Sequence, residues 1–281
     1  LVAALVAQQF PEWSGQAVVP VEPGGWDNRT FRLGNELLVR LPSREAYVAQ
    51  VEKEQRWLPL LAQKLPLPIP SPVALGAPGL GYPWPWSIYR WLDGESVRAS
   101  DLATAKSLAH DLTAFLRALH ELDPAEGPPP GEHNFFRGGP LSTYDGQTRD
   151  ALRALGGRVD TDACARVWDA ALAATWAGPV RWLHGDVAAS NLLLRDHRLA
   201  AVIDFGSMAV GDMACDLTIA WTLFTGASRS AFRETMSCDG ATWARARGWT
   251  LWKALILIAW DAGPASAVSD ANRVLQEVLG D

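Results

Sequence analysis

Early in the chain, apolar residues come in short runs; later they recur mostly at helical spacing. AVVPV (17–21), TFRLG (30–34) and ELLVRL (36–41) predict strands, and Gly34-Asn35 predicts a hairpin turn between the last two. The period changes over 43–65, where Tyr47, Val51, Leu58, Leu61 and Leu65 share one face of a predicted helix that Ser43 is placed to cap. Seven prolines between Pro66 and Pro85 then impose extended chain. WSIYRWL (86–92) predicts a buried strand, ended by Asp93-Gly94.

Beyond that point helices dominate. In the predicted helix 101–122, Leu102, Ala105, Leu108, Ala109, Leu112, Phe115, Leu116 and Leu119 make one apolar face. A Pro/Gly-rich connection over 124–140 leads to predicted helices at 141–155 and 161–176. Residues 180–206 differ: short apolar runs broken by polar residues predict short strands and loops. Helices are predicted again over 212–225, 240–262 and 266–279. No internal repeat is present. The pattern describes a small β-rich lobe, a linking strand and a larger helical lobe, an α+β architecture.

Composition narrows the class. With 48% apolar and 20% charged residues among 281, the chain can bury a core and does not match the composition of disordered chains. A net charge of −6 argues against a nucleic-acid partner held through its phosphates. The apolar run LWKALILIAW is about half the length of a membrane span, so no membrane partner is expected. The opening LVAALVAQQF lacks a basic n-region and a clear cleavage site, and is expected to be a helix, not a signal peptide. Cys164, Cys215 and Cys238 show no zinc spacing and suit a reducing cytoplasm. Tryptophan is abundant, with 14 residues, and Arg outnumbers Lys by 21 to 4.

The stretch LHGDVAASNLLLRDHRLAAVIDFG (183–206) carries the chemistry. Taken singly, His184-Gly185-Asp186 is an ordinary turn, Asn191 a cap and Asp204-Phe205-Gly206 a strand end. Taken together, they place an Asp on a loop after an apolar strand, an Asn five residues on, and a second Asp at the end of another apolar strand. Phosphoryl transfer from ATP needs such a set: one carboxylate to orient a hydroxyl and take its proton, and an amide oxygen and a second carboxylate to hold Mg²⁺.

HGDVAASN resembles the H-G-D-x-x-x-x-N catalytic loop of aminoglycoside phosphotransferases, and IDFG is similar to the metal-binding segment these enzymes share with protein kinases. The resemblance spans nearly the whole chain, including GGWDN, LLVRLP, the Glu-bearing helix, YRWLDGE and GDMACDLTIAW. Macrolide kinases share the scaffold. It implies a protein-kinase-like bilobal α+β fold, with a nucleotide-binding lobe over 1–92 and a helical lobe over 93–281. It also implies an ATP- or GTP-dependent kinase using Mg²⁺, with Asp186 as catalytic base, Asn191 and Asp204 as metal ligands and His184 as a brace. No H-R-D or A-P-E segment supports a protein kinase.

Further roles follow from the resemblance. Arg40 stands where such folds place a phosphate-holding Lys, and can bond phosphate bidentately. Gly25 to Thr30 would cover the phosphates, with Asp27 and Asn28 at the loop tip. The Arg90 carbonyl and Leu92 amide would meet adenine, packed against Ile203. Glu54, three residues after Val51 and four before Leu58, falls on the apolar helix face, where a carboxylate needs a partner; Arg40 is the candidate. Asp216 is expected to be a buried acceptor, and Asp212 the cap of helix 212–225.

The acceptor stays open. Residues 131–145, helix 212–225 and the C-terminal helices are candidates to line its pocket. An aminoglycoside needs carboxylates, for which Asp261, Glu234 and Asp239 are candidates. A macrolide would suit Trp221, Trp243, Trp249, Trp252 and Trp260. A metabolic kinase of a sugar, amino sugar or amino alcohol is the alternative, and a nucleotide-binding pseudokinase a weaker one. No obligate protein partner is expected.

Overall fold

The computed structural model describes every residue except 23, 99–104, 125 and 262–264. Five strands form the first sheet: β1 (Val18–Pro20), β2 (Asn28–Leu33), β3 (Leu37–Pro42), β4 (Pro72–Gly76) and β5 (Trp86–Arg90). Their order is β1-β2-β3-β5-β4, antiparallel throughout. Alternation sets the two faces. Leu33, Leu37, Val39, Leu41, Trp86 and Ile88 bury themselves with Leu5 and Val6 of helix α1 (Val2–Gln9) in one cluster. Helix α2 (Val48–Ala62) adds Leu58 and Leu61, with Tyr89, to the main core.

Ser43 does not cap α2. Its hydroxyl donates to the Trp26 carbonyl at 2.7 Å and its amide to Asp27 O at 2.8 Å, so it ties down the preceding loop. A 3₁₀ turn at Glu45–Tyr47 starts the helix instead. The Pro-rich stretch is extended as expected, and part of it pairs as β4.

The second part is mainly helical: α3 (Ala105–His120), α4 (Asp145–Ala154), α5 (Thr161–Ala173), α6 (Ile219–Thr222), α7 (Gly226–Met236), α8 (Gly240–Ala259) and α9 (Ala265–Leu279). The expected face of α3 is buried from Leu108 to Leu119; Leu102 lies outside the described residues. Short strands β6 (Glu95–Ser96), β8 (Leu192–Arg195) and β9 (Arg198–Val202) form one small sheet, and β7 (Arg181–Leu183) and β10 (Ala209–Gly211) another. Helix α8 is buried at positions all around its axis, as a central helix must be. Trp168, Trp182, Trp221, Trp243, Trp249 and Trp252 are all core residues around it or near it, which accounts for much of the tryptophan excess.

The helix expected over 212–225 is broken into a 3₁₀ stretch, Met213–Thr218, and the short α6. Asp212 does cap this stretch, accepting from Ala214 N at 3.2 Å. It also holds a buried ion pair with Arg245 at 2.6 Å. Helix α7, which the apolar pattern does not predict, follows at once. Thr225 caps it, with Ser228 Oγ returning a bond to the Thr225 carbonyl at 2.8 Å.

Candidate active site

Strand β7 runs into His184-Gly185-Asp186. The His184 and Gly185 amides donate to the Asp216 carboxylate at 2.9 and 2.7 Å, and His120 Nε2 sits 3.0 Å from the same group. Asp216 is fully buried, the acceptor role expected of it. Gly185 has φ +85°, and a Cβ there would lie 2.3 Å from Ser207 O, so the turn admits only glycine. His184 accepts at Nδ1 from Asp186 N (3.2 Å) and donates from Nε2 to Ile203 O (3.0 Å). Those bonds define a neutral Nε2–H tautomer that joins the loop to the strand before Asp204. The Asp186 side chain is left exposed.

Asn191 is buried and donates from Nδ2 to Asp186 O at 2.9 Å. Its Oδ1 receives only a long bond from Ser190, at 3.4 Å. The Asn191 carbonyl accepts from Ile203 N at 2.9 Å, which fixes the two metal-ligand candidates relative to each other. Asp204 has φ 67°, a left-handed conformation that turns it away from the strand path.

Arg40 of β3 and Glu54 of α2 form the ion pair predicted by spacing, at 3.2 Å. Arg40 also reaches Asp204 Oδ1 at 2.8 Å. Burial works against its charge, but Glu54 and Asp204 together hold it firmly protonated. Tyr89 donates to Glu54 Oε2. Burial first, then the Glu54 charge, pushes the Tyr89 phenol far above its ordinary range, so it stays a donor.

Asp27 faces the cleft. Burial, and the charges of Asp204 and Asp186, push its carboxyl above the ordinary range against the bond from Gln50 Nε2 at 3.1 Å. Asn28 is not at the loop tip as expected: it is buried as the first residue of β2, paired with Pro42. Trp26, 72% exposed, takes the outer position. Arg90 ends β5 with its side chain exposed, and Leu92 and Ile203 are half-buried.

Among the described residues no set of three or more His, Cys, Asp or Glu is arranged to hold a metal. Asn191 Oδ1 and the Asp204 carboxylate nonetheless fit magnesium, which takes hard oxygens and needs few from protein when phosphates and water complete its shell. Gln50 Oε1 is buried without a partner, and it faces Gly206, where a Cβ would come within 2.7 Å of it. An orphan acceptor on that wall suits a hydrated cation. Gln50 lies one helical turn before Glu54, so the same spacing that found Glu54 also reaches it.

Other residues carry no motif. Lys53 is buried, with Nζ 3.3 Å from His133 Nδ1 and from the His133 carbonyl. Burial lowers its pKa to about 8. Of the three acidic candidates for an acceptor pocket, Asp239 caps the start of α8 through Thr242 N, Glu234 is exposed on α7, and Asp261 is exposed beyond the end of α8. Trp221 and Trp243 are core, and Trp260 is exposed.

A family model described as the phosphotransferase enzyme family matches residues 18–249. Sequence comparison with curated proteins gives no match. Among solved structures, a GDP complex of an aminoglycoside 2'-phosphotransferase-IIIa variant aligns with TM-score 0.75 at 18% identity, over 99% of this chain and 96% of that one. A GDP and kanamycin complex of the type IIIa 2"-enzyme aligns with TM-score 0.74 at 18% identity, over 99% and 98%. A macrolide 2'-phosphotransferase from Brachybacterium faecium aligns with TM-score 0.63 at 21% identity, over 97% and 96%. Likeness at these identities shows the fold: kinase-like, with an N-terminal antiparallel sheet and a larger helical part.

Proposed function

The chain belongs to the phosphotransferase enzyme family, and from that premise we propose that it moves the γ-phosphoryl group of ATP or GTP to a hydroxyl of a small organic molecule. One observation supports this: Asn191 bonds the Asp186 carbonyl and takes the amide of Ile203 beside Asp204, while Arg40 of the Arg40–Glu54 pair reaches Asp204, so the three motif residues and the cation are tied together.

Asp186 orients the acceptor hydroxyl and takes its proton. Phosphoryl transfer asks the protein mainly for position and charge, and the His184 and Asn191 bonds hold the loop for both. Asn191 Oδ1 and Asp204 would hold magnesium, which neutralises charge on the phosphates when bound. Arg40 would then turn from Asp204 toward phosphate while keeping Glu54. Asp27 and the loop fastened by Ser43 would lie over the phosphates, and the Arg90 carbonyl, Leu92 amide and Ile203 would meet the base. In this division residues 1–92 hold nucleotide and 93–281 carry the catalytic loop and acceptor pocket. A reaction that draws on ATP or GTP would suit the cytoplasm.

The aminoglycoside and macrolide enzymes of the same fold make antibiotics the first acceptors to try, with sugars and amino alcohols beside them. Acceptor-stimulated ADP release with Mg-ATP, run over such a panel, tests the proposal. Stimulation by at least one hydroxyl compound, lost in Asp186→Ala, is expected. Turnover that survives Asp186→Ala removes the base from the scheme.

A further inference from the structure

Gln50 stands where three parts of the site meet, and no motif marks it. It lies on α2 one helical turn before Glu54 and on the same face, so the two side chains stack along the helix. Glu54 holds Arg40, and Arg40 reaches Asp204 at 2.8 Å. Gln50 Nε2 donates to Asp27 Oδ2 at 3.1 Å, in the loop that Ser43 fastens by its bonds to Trp26 O and Asp27 O. The oxygen end of the same amide meets Gly206, two residues after Asp204. One side chain therefore joins the Asp27 loop to the segment that follows Asp204.

The two ends of this amide are unequal. Only 2% of the residue is exposed, so bulk water does not compensate an unmet polar group. Nε2 has its acceptor, but Oε1 finds no partner among the described residues. Turning the amide over would set Oε1 against an ionised carboxylate, one acceptor against another. Asp27 therefore fixes the direction in which Oε1 points. The other buried side-chain atoms without partners, Arg32 Nε, Trp221 Nε1, Thr222 Oγ1 and Trp249 Nε1, can all donate; Gln50 Oε1 can only accept, and what it lacks is a donor.

Gly206 keeps the place for that donor open. Its φ lies outside the left-handed region, so the turn itself does not demand glycine. A Cβ there, however, would lie 2.7 Å from Gln50 Oε1 and 2.9 Å from Cδ. The glycine serves the room in front of the amide. Magnesium on a nucleotide keeps several of its waters, and water on a divalent cation is a strong donor. Resting on the phosphotransfer reading above, we propose that Gln50 is an outer-sphere ligand of the nucleotide's magnesium: Oε1 accepts from a water on the metal, while Nε2 holds the Asp27 loop to the same amide.

The test is isothermal titration calorimetry of the full chain with a non-hydrolysable ATP analogue, in magnesium and in EDTA. The ratio of the two affinities is the gain due to metal, and Asp204→Ala, the control, should abolish it. Gln50→Met removes the amide at nearly constant length and should lower the gain about tenfold, the scale of one hydrogen bond to a charged group. Weakening that is equal in EDTA reports the lost Asp27 bond and cancels in the ratio. Gln50→Glu keeps an oxygen where Oε1 stands and should restore most of the gain. Gly206→Ala fills the donor's place and should lower the gain as Gln50→Met does, with no further loss when the two are combined.

The inference is overturned if Gln50→Met weakens binding equally in magnesium and in EDTA, which leaves Gln50 a tie of the loop alone. It is also overturned if Gln50→Glu recovers none of the gain, or if the losses from Gln50→Met and Gly206→Ala add. Should Gln50→Met not fold, Gly206→Ala and Gln50→Glu carry the comparison, and a gain unchanged in Gly206→Ala overturns the inference. A wild-type gain that survives these substitutions sinks this inference alone. A wild type that binds no nucleotide, or binds it with no gain from magnesium, sinks the phosphotransfer reading with it.

Discussion

Arg40 is a nearly buried cation between two carboxylates, and that arrangement decides what its replacement does. Arg40→Met leaves Glu54 buried with only the Tyr89 hydroxyl against it. Removing one member of a buried pair costs about 3–5 kcal/mol, so urea unfolding should shift by that order, and a shift under 1 kcal/mol would show Glu54 solvated. Lys53 gives a pH signature. Its folded pKa, about 8, lies below the ordinary 10.5. Between those values the unfolded chain binds more protons than the folded one, so unfolding free energy rises with pH across that window and the contribution is complete above it. Below pH 8 the buried ammonium is a standing cost. Measured from pH 7 to 10.5, the difference between wild type and Lys53→Met should therefore move in favour of wild type; a flat difference contradicts a depressed pKa. The Arg40–Glu54 pair was legible from spacing, because an acid on an apolar helix face demands a partner. Lys53 was not, because its partner His133 lies in a Pro/Gly-rich connection with no period to read.

At the scale of elements, the catalytic loop is set by what its glycine must avoid. Gly185→Ala combines φ +85° with a 2.3 Å approach to Ser207 O, a backbone atom that cannot step aside alone. The variant is expected to lose turnover by at least about 10²-fold, the scale of misplaced catalytic groups, with a lowered thermal midpoint; wild-type turnover would mean the Asp186 loop tolerates a different turn. The strands and most helices were readable because their faces repeat, and α8 because large apolar residues run along most of its length. Residues 212–225 were misread for a physical reason. Asp212 is drawn to Arg245 and Asp216 to the His184 and Gly185 amides, and a 3₁₀ stretch, not an α-helix, carries both. Helix α7 was missed because its large apolar residues are few; its start depends on Thr225 and Ser228. Ser43 looked like a cap but serves the loop at Trp26. Ser43→Ala should leave α2 in place and raise the KM for ATP several-fold, loosening one hydrogen bond of the size usually worth about 0.5–1.5 kcal/mol; an unchanged KM would separate that loop from the nucleotide.

Over the whole molecule, α2 is the joint. It carries Glu54 toward β3, Lys53 toward His133, and Trp57 against Trp182 at 5.2 Å, so the sheet and the helical part meet along one helix. Arg40 reaching Asp204 adds a charged contact across the same seam. Sequence motifs located Asp186, Asn191 and Asp204 because each sits beside a fixed backbone turn. The candidates for an acceptor pocket in 131–145 and on α8 had no motif to set them against each other; in the fold Tyr144 and Arg137 pack against Trp249 and Trp252, which are core residues. The proposed function requires a metal-bound nucleotide with its γ-phosphate at Asp186. A crystal structure of the chain with magnesium and a non-hydrolysable ATP analogue tests it most directly. Metal density is expected at about 2.1 Å, the ordinary magnesium–oxygen distance, from Asn191 Oδ1 and an Asp204 oxygen, with the γ-phosphate between Arg40 and Asp186; a metal–nucleotide bound away from Asn191 and Asp204 would overturn the proposed function.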